Sequence, residues 1–346
     1  MIKVGVVGST GYTGVELVRL LSRHPKVSLK LITSRSFSGK KIADIYPNLQ
    51  GIVDLECEEL DFTEIADRVE VVFTALPHGV SMSVVPKLLQ VGVKVIDLSG
   101  DYRYQDQELY EEWYTESHQS PDLLSEAVYG LPELNREVIK ESRLIANPGC
   151  YPTSAILALT PVVNKGLIDL NSIIIDSKSG ATGAGRTPSR ATHFCEVSEN
   201  FKAYKVAQHR HTSEIENGVK MVANKEVVLS FTPHLVPMKR GILSTVYTQL
   251  KQNFTTKELR ELYQDFYSSH PFVRIHKVGK LPETKYVVNS NYCDIGLKVD
   301  SRTNRLVIVS TIDNLIKGSS GQAIQNFNLL SGLSETTGLK FSGIFP

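Results

Sequence analysis

Seven residues near the start of the chain, Gly8-Ser9-Thr10-Gly11-Tyr12-Thr13-Gly14, restrict its fold more than any other stretch. They follow the apolar run Lys3-Val4-Gly5-Val6-Val7. Beyond them, Leu17, Val18 and Leu21 continue from Gly14 at helical spacing until His24-Pro25 stops the pattern. Strand, glycine turn and helix in this order open a dinucleotide-binding unit. Glycines let the backbone approach a pyrophosphate, and the helix N-terminus attracts its charge. The spacing GxxGxxG is a variant of the usual fingerprint. A tight turn with no ligand is the plain alternative, and the flanking strand and helix argue against it. All seven residues are therefore candidate cofactor contacts.

The second strand, Val27-Ser28-Leu29-Lys30-Leu31-Ile32, leads into Thr33-Ser34-Arg35-Ser36. An acidic residue at this point would bond the ribose 2′-hydroxyl of NAD. Hydroxyls and an arginine suit a 2′-phosphate instead, so Ser34, Arg35 and Ser36 predict NADP. Residues 69–76 are a third strand, ending in Pro77-His78-Gly79, and a helix carries Val80, Val84, Val85, Leu88 and Leu89 on one face. Residues 93–98 form a fourth strand, closed by Ser99-Gly100-Asp101-Tyr102-Arg103. Repeated βα units predict a Rossmann-type, doubly wound parallel sheet with ligands at the strands' carboxyl ends. Pro77 is then a cofactor contact and Arg103 a clamp for an anionic substrate, while His78 is read as a loop residue. Residues 104–119 are polar and aromatic and read as a helical surface excursion. Asn135 is a candidate cap for the helix that follows Gly130-Leu131-Pro132-Glu133.

The chain has 346 residues, enough for about two domains. Its formal net charge is +1 and no Lys/Arg run exceeds two residues, which argues against broad nucleic-acid or anionic-membrane binding. No apolar run approaches the ~20 residues of a membrane helix. The four cysteines are widely separated and form no CxxC pair. They read as reduced thiols of a cytoplasmic protein, without disulfides or a metal site.

Leu144-Ile145-Ala146 is a short strand entering Asn147-Pro148-Gly149-Cys150-Tyr151-Pro152-Thr153, and Ile156, Leu157, Thr160 and Val163 continue as a helix. Pro152 suits a first helical turn. Cys150 thus stands at a helix N-terminus, where partial positive charge favours the thiolate and backbone N–H groups face a forming oxyanion. A lone cysteine is more often a small buried apolar residue. Its placement beside a cofactor domain favours a nucleophile.

Further on, the strand Ser172-Ile173-Ile174-Ile175-Asp176 enters Ser177-Lys178-Ser179-Gly180-Ala181-Thr182-Gly183-Ala184-Gly185-Arg186. Gly180 and Gly183, with Lys178 and Arg186, suit a loop that holds a phosphate or cradles the nicotinamide half of a cofactor. His209-Arg210-His211 lies just before a helix whose start is marked by Ser213 and Glu216 at capping-box spacing. A histidine of near-neutral pKa is the usual partner of a thiol nucleophile. A metal pair at His-x-His has no third nearby ligand. The remaining strands, 227–232, 242–250, 292–299 and 305–312, predict a mostly antiparallel sheet in an α+β catalytic domain, with a helix at about 256–267 and a hairpin turn at 301–304.

The motif Asn147-Pro148-Gly149-Cys150-Tyr151-Pro152-Thr153 resembles the active-site signature of the N-acetyl-γ-glutamyl-phosphate reductases, relatives of aspartate-semialdehyde dehydrogenase. The likeness includes Gly8 to Gly14, Gly130-Leu131-Pro132-Glu133, the glycine loop, His-Arg-His and a closing Asp313-Asn314-Leu315-Ile316-Lys317-Gly318. Where the family more often has Pro, this chain has Ser213. The resemblance implies NADPH-dependent reduction of an acyl phosphate through a Cys150 thioester in arginine biosynthesis. It implies an acid-base histidine, His211 first and His209 second, with Glu214 as an orienting carboxylate. It places the glycine loop beside the cofactor and gives Asn314 a nicotinamide contact. Asn147, with Arg103, Lys178 and Arg186, is read as a substrate contact. It also implies an NADP-binding domain of 1–148 and 314–346, a catalytic domain of 149–313, and a homo-oligomer, dimer or tetramer. Three rivals remain: a sibling reductase for aspartyl or carrier-linked aminoadipyl phosphate, a Cys-His hydrolase or acyltransferase, and a non-catalytic nicotinamide sensor.

Overall fold

The computed structural model describes residues 1–345. They form two compact units, Met1–Pro148 with Ser319–Lys340, and Gly149–Gly318 with the residues from Phe341 on. The division falls between Gly318 and Ser319, five residues after the boundary expected from the sequence.

The first unit contains a parallel sheet of six strands: β1 (Ile2–Val7), β2 (Val27–Thr33), β3 (Val71–Thr74), β4 (Lys94–Asp97), β5 (Val128–Tyr129) and β6 (Leu144–Ala146). Their order is β2-β1-β3-β4-β6-β5. β3 and β6 are buried throughout, as strands covered on both faces must be. Four longer helices alternate with them, α1 (Tyr12–Leu21), α2 (Ser81–Gln90), α3 (Gln107–Tyr114) and α4 (Pro132–Glu141), besides single turns at Ile42–Ile45 and Ile65–Arg68. The predicted doubly wound sheet is therefore present.

Two local expectations fail here. The 104–119 segment holds the expected helix, α3, but is no surface excursion: Tyr104, Tyr110 and Tyr114 are buried. Tyr110 and Tyr114 stack at 4.5 Å between ring centroids. The residues between them are polar, yet tyrosine buries its ring while keeping a hydroxyl for bonding. Asn135 is not a cap either. Pro132 starts α4, and Asn135 sits at a kink within it (φ −122°, ψ 23°), its Nδ2 donating to the Tyr129 carbonyl at 2.8 Å.

The second unit is built on α5 (Cys150–Asn164), in which Tyr151 through Val163 are all buried. A helix apolar all round belongs inside a core. Pro161 deprives the Leu157 carbonyl of its helical donor, and the hydroxyl of Tyr267 donates to that carbonyl at 2.6 Å. α6 (His211–Ala223) lies against α5 because Gly218 has no side chain; a Cβ there would come 2.2 Å from Ile156. The seven-stranded sheet has the order β11-β12-β13-β10-β7-β9-β8. Its strands are β7 (Ile174–Gly180), β8 (Lys202–Ala203), β9 (Ser230–Val236), β10 (Ile242–Gln249), β11 (Val273–Ile275), β12 (Cys293–Asp300) and β13 (Arg305–Ile312). Four of its six pairings are antiparallel, as expected; β7–β9 and β11–β12 are parallel. α7 (Thr256–Phe266) begins with a capping box, Thr255 with Glu258.

α8 (Gly321–Leu330) returns to the first unit and is wholly buried despite four amide side chains. Gln322 and Asn326 donate to the Gly130 carbonyl at 2.9 and 2.8 Å, and Asn328 meets His24 at 2.9 Å. Gln325 donates to Glu133 at 3.3 Å. Buried amides are tolerated only when bonded in this way. Among the described residues no helix is long and apolar enough to cross a membrane.

Candidate active site

Each unit carries one half of the predicted chemistry. In the first, the glycine turn links β1 to α1. Gly8 has φ +86°, and a Cβ on it would lie 2.5 Å from the Ala75 carbonyl oxygen. A Cβ on Gly14 would lie 2.2 Å from the Gly8 oxygen, so glycine alone lets the helix approach the turn. Gly11 is the N-cap of α1, and apart from its chain neighbours no residue has an atom within 4 Å of where its Cβ would be. That open position before a helix N-terminus fits a pyrophosphate. The turn is braced by hydroxyls: Ser9 Oγ donates to the Thr33 carbonyl at 3.0 Å, and Thr10 bonds Ser34 at 2.8 Å. Thr13 meets Ser319 at 3.4 Å.

A cavity of about 450 Å³ opens beside this turn at the carboxyl ends of β1, β2 and β3. Gly8, Ser34, Arg35, Leu76, Val80 and Lys87 are among its walls. Ser34 is buried, whereas Arg35 and Ser36 are exposed. The donor set, an arginine with hydroxyls around a half-apolar cavity, fits the adenosine end of a dinucleotide. Pro77 is exposed in the loop after β3.

Arg103 and Asn147 close the first unit at the ends of β4 and β6. The Arg103 guanidinium donates to the carbonyls of Asn147 (2.9 Å) and Leu98 (3.1 Å). Asn147 Nδ2 donates to the Ser319 carbonyl at 3.1 Å, and its Oδ1 accepts from Asn326 at 3.1 Å. Both side chains therefore brace the turn that leads to Gly149.

In the second unit Cys150 is the first residue of α5, with Gly149 as N-cap. Glu214, buried in the first turn of α6, accepts the Gly149 N–H at 2.8 Å. One carboxylate thus ties the helix bearing the cysteine to the helix bearing the histidines. The rings of His209 and His211 are 4.8 Å apart, and that of Tyr151 lies 5.8 Å from His211. His209 Nδ1 accepts the His211 backbone N–H at 3.1 Å. This bond leaves His209 its proton on Nε2 when neutral. Burial, aided by Lys205 and Arg210, lowers its pKa to about 4. The helix begins at His211, with Arg210 as N-cap, so the capping box expected from Ser213 and Glu216 does not form. Ser213 Oγ instead donates to the Arg210 carbonyl at 3.0 Å, and Glu216 accepts the Leu229 N–H at 3.0 Å.

Lys178 lies within β7, not in the glycine loop, and pairs with Asp176 at 2.7 Å. Gly180 ends the strand, where a Cβ would lie 2.6 Å from the Lys239 carbonyl oxygen. Gly183 and Arg186 are exposed in the loop beyond. Asn314 accepts the Gly241 N–H at 2.8 Å and donates to Thr182 at 3.0 Å, joining the glycine loop to the segment after β13.

Sequence reasoning missed two neighbours of the nucleophile. The Tyr204 hydroxyl meets that of Tyr151 at 3.0 Å, and burial, with Cys150 nearby, raises its pKa to about 12. Gly318 lies in a π-helical turn, Ile316–Ser320, and a Cβ on it would come 2.7 Å from the Cβ of Cys150. Neither is near Cys150 in sequence, though a glycine after a buried strand was a visible hint. Of the other cysteines, Cys57 and Cys293 are buried, but Cys195 is exposed and fills no core. Among the described residues, no group of three or more His, Cys, Asp or Glu could hold a metal ion.

Comparison with known proteins agrees with this division of labour. Residues 3–142 match the semialdehyde dehydrogenase NAD-binding domain, and residues 150–314 match the semialdehyde dehydrogenase dimerisation domain. The N-acetyl-gamma-glutamyl-phosphate reductase of Halothermothrix orenii is 55% identical, covering 100% of both chains. That of Acetivibrio thermocellus is 54% identical over the same full coverage. Aspartate semialdehyde dehydrogenase II of Vibrio cholerae, solved with ASA, shares the fold at a TM-score of 0.74 and 17% identity, over 96% of this chain and 98% of that one. The Candida albicans aspartate semialdehyde dehydrogenase, solved with NADP, does so at 0.72 and 17%, over 96% and 99%. The chain belongs to the semialdehyde dehydrogenase family, and within it to the N-acetyl-γ-glutamyl-phosphate reductases.

Proposed function

We propose that this chain reduces N-acetyl-L-glutamyl 5-phosphate to N-acetyl-L-glutamate 5-semialdehyde and phosphate, with NADPH as reductant and Cys150 as acyl carrier, in the cytoplasmic synthesis of arginine. The observation that carries the reading is Cys150 at the first position of a buried helix, tied through Glu214 to the helix of His211. The Cys150 thiolate attacks the acyl carbonyl and phosphate leaves, so the acyl group rests as a thioester. The nicotinamide, when bound, supplies the hydride. N–H groups of the first turn of α5 stabilise the oxyanion. His211 gives a proton to the reduced adduct's oxygen and takes it back as the aldehyde departs. His209, neutral by burial, orients His211 through the backbone bond. Arg103, Asn147, Lys178 and Arg186 serve the substrate, and Asn314, Gly180 and Gly183 the nicotinamide end.

Arg35 and Ser34 at the cavity wall, with Ser36 exposed next in the chain, support NADP over NAD. The aspartyl and aminoadipyl alternatives lack comparable support, since the aspartate enzymes match at 17% identity. A homo-oligomer is part of the reading. The matched dimerisation domain and the exposed Ile174 and Tyr247 on the second sheet support it. The test is phosphate-dependent reduction of NADP by N-acetylglutamate semialdehyde. Turnover with that aldehyde, and little with aspartate semialdehyde, is expected; the opposite preference overturns the proposal.

A further inference from the structure

The loop that walls the cofactor cavity after β3 is held from behind by a carboxylate that the reaction does not use. Asp101 follows the carboxyl end of β4 and is fully buried. Both its oxygens accept the Gly79 N–H, at 3.0 Å each, and the Tyr110 hydroxyl donates to Oδ1 at 3.1 Å. The same two loops are joined again where Gly100 N–H donates to His78 Nδ1 at 2.8 Å. Gly79 has φ +82°, a backbone conformation that favours glycine, and the Glu116 carboxylate lies beside it. Leu76 and Val80, on either side of this loop, line the cavity together with Arg35.

We propose that Asp101 is a positioning residue for the cofactor: its ionised carboxylate latches the loop at Gly79 and so sets the wall of the dinucleotide cavity. The inference rests on the reading of that cavity as the cofactor site. Burial raises the Asp101 pKa to about 6, with the Asp97 charge adding to the rise and the Gly79, Tyr110 and Ser99 bonds opposing it. The groups that surround it are Asp97 on β4, Tyr110 and Tyr114 on α3, His78 in its own loop, Glu116 beside Gly79, and His118, whose Nε2 bonds the Asp101 carbonyl at 2.8 Å. Arg103 acts on the neighbouring Asp97. The sign follows. Above about pH 6 the carboxylate is charged and the latch is strong. Below it the group is neutral and accepts less strongly, so cofactor affinity falls as pH falls.

The experiment is fluorescence titration of NADPH onto the full-length wild type and Asp101→Asn from pH 5 to 8.5. The asparagine is a neutral acceptor, and charge-assisted bonds are about twice as strong as neutral ones, so we expect roughly tenfold weaker binding at pH 8. The variant-to-wild-type ratio should shrink toward one at pH 5. Taking the ratio cancels the titration of the cofactor's own phosphate. The melting temperature of the variant at pH 8 should not fall, because a buried charge has been removed. A ratio near one at every pH overturns the inference while leaving the cofactor reading intact. A wild type that binds no NADPH overturns that reading itself. Should the variant not fold, the carboxyl NMR titration of Asp101 in the wild type decides: its pKa must fall when NADPH binds, and an unchanged value refutes the latch.

Discussion

Replacing Glu214 separates two ways in which a carboxylate can serve Cys150. Its Oε1 accepts the N–H of Gly149, the N-cap of the nucleophile's helix, at 2.8 Å, and both residues are buried. In Glu214→Ala that N–H keeps no acceptor there, and stranding a buried donor costs about 1–3 kcal/mol. If the loss falls on the positioning of Cys150 in the transition state, kcat drops about 5- to 150-fold, at 1.36 kcal/mol per factor of ten. The same loss lowers the melting temperature by roughly 2–4 °C for each kcal/mol in a unit of this size. Glu214→Gln retains an oxygen of the same reach and forfeits only charge assistance, about 1 kcal/mol, so it should keep at least a tenth of the activity. Steady-state kinetics with the acyl phosphate and NADPH, beside thermal melts, provides the readout. Equal collapse of both variants would refute the argument, because the negative charge, and not the bond to Gly149, would then be what matters. Wild-type activity in Glu214→Ala would refute it outright.

Two further outcomes follow from the site. Arg35→Ala should raise the Kd for NADPH about tenfold or more, the scale of one arginine–phosphate contact, and leave that for NADH unchanged; isothermal titration with both cofactors checks it, and unchanged NADPH binding sinks the role. His211→Asn should lose about 10²- to 10⁴-fold in kcat, whereas His209→Asn should lose far less. His209, with its pKa lowered to about 4, is neutral above pH 5 and gives no titration step near neutrality. Being depressed, that pKa makes the folded state bind fewer protons than the unfolded one between about pH 4 and 6.5, so His209 costs stability as pH falls through that window. A neutral-range step in the pH–rate profile that survives His211→Asn and vanishes in His209→Asn would reverse the assignment.

The elements were legible where one period or one turn decides them. The glycine turn, the buried strands of the first sheet and the helix behind Cys150 follow from local patterning. So does the hairpin turn between β12 and β13 at 301–304. What escaped was decided by partners far away in sequence. Tyr104, Tyr110 and Tyr114 read as surface until they are seen packed on one another. The amides of α8 look polar, yet each is bonded inside the core. At the candidate site, Cys150, the two histidines and Glu214 were visible as types at telling positions. The bond from Gly149 to Glu214 spans 65 residues, the Tyr151–Tyr204 contact spans 53, and no spacing rule reaches either. Gly218 reads in sequence as a weak point in a helix, yet it is where the neighbouring helix packs Ile156 into the space a Cβ would take.

The central claim is that Cys150 carries the acyl group. The most direct measurement mixes the enzyme with N-acetylglutamyl phosphate in the absence of nicotinamide cofactor, quenches in acid and maps the adduct by peptide mass spectrometry. An acyl group on the peptide bearing Cys150, released by hydroxylamine and absent in Cys150→Ser, is the predicted result. Phosphate release with Cys150 unmodified, or full reductase activity in Cys150→Ser, would contradict it.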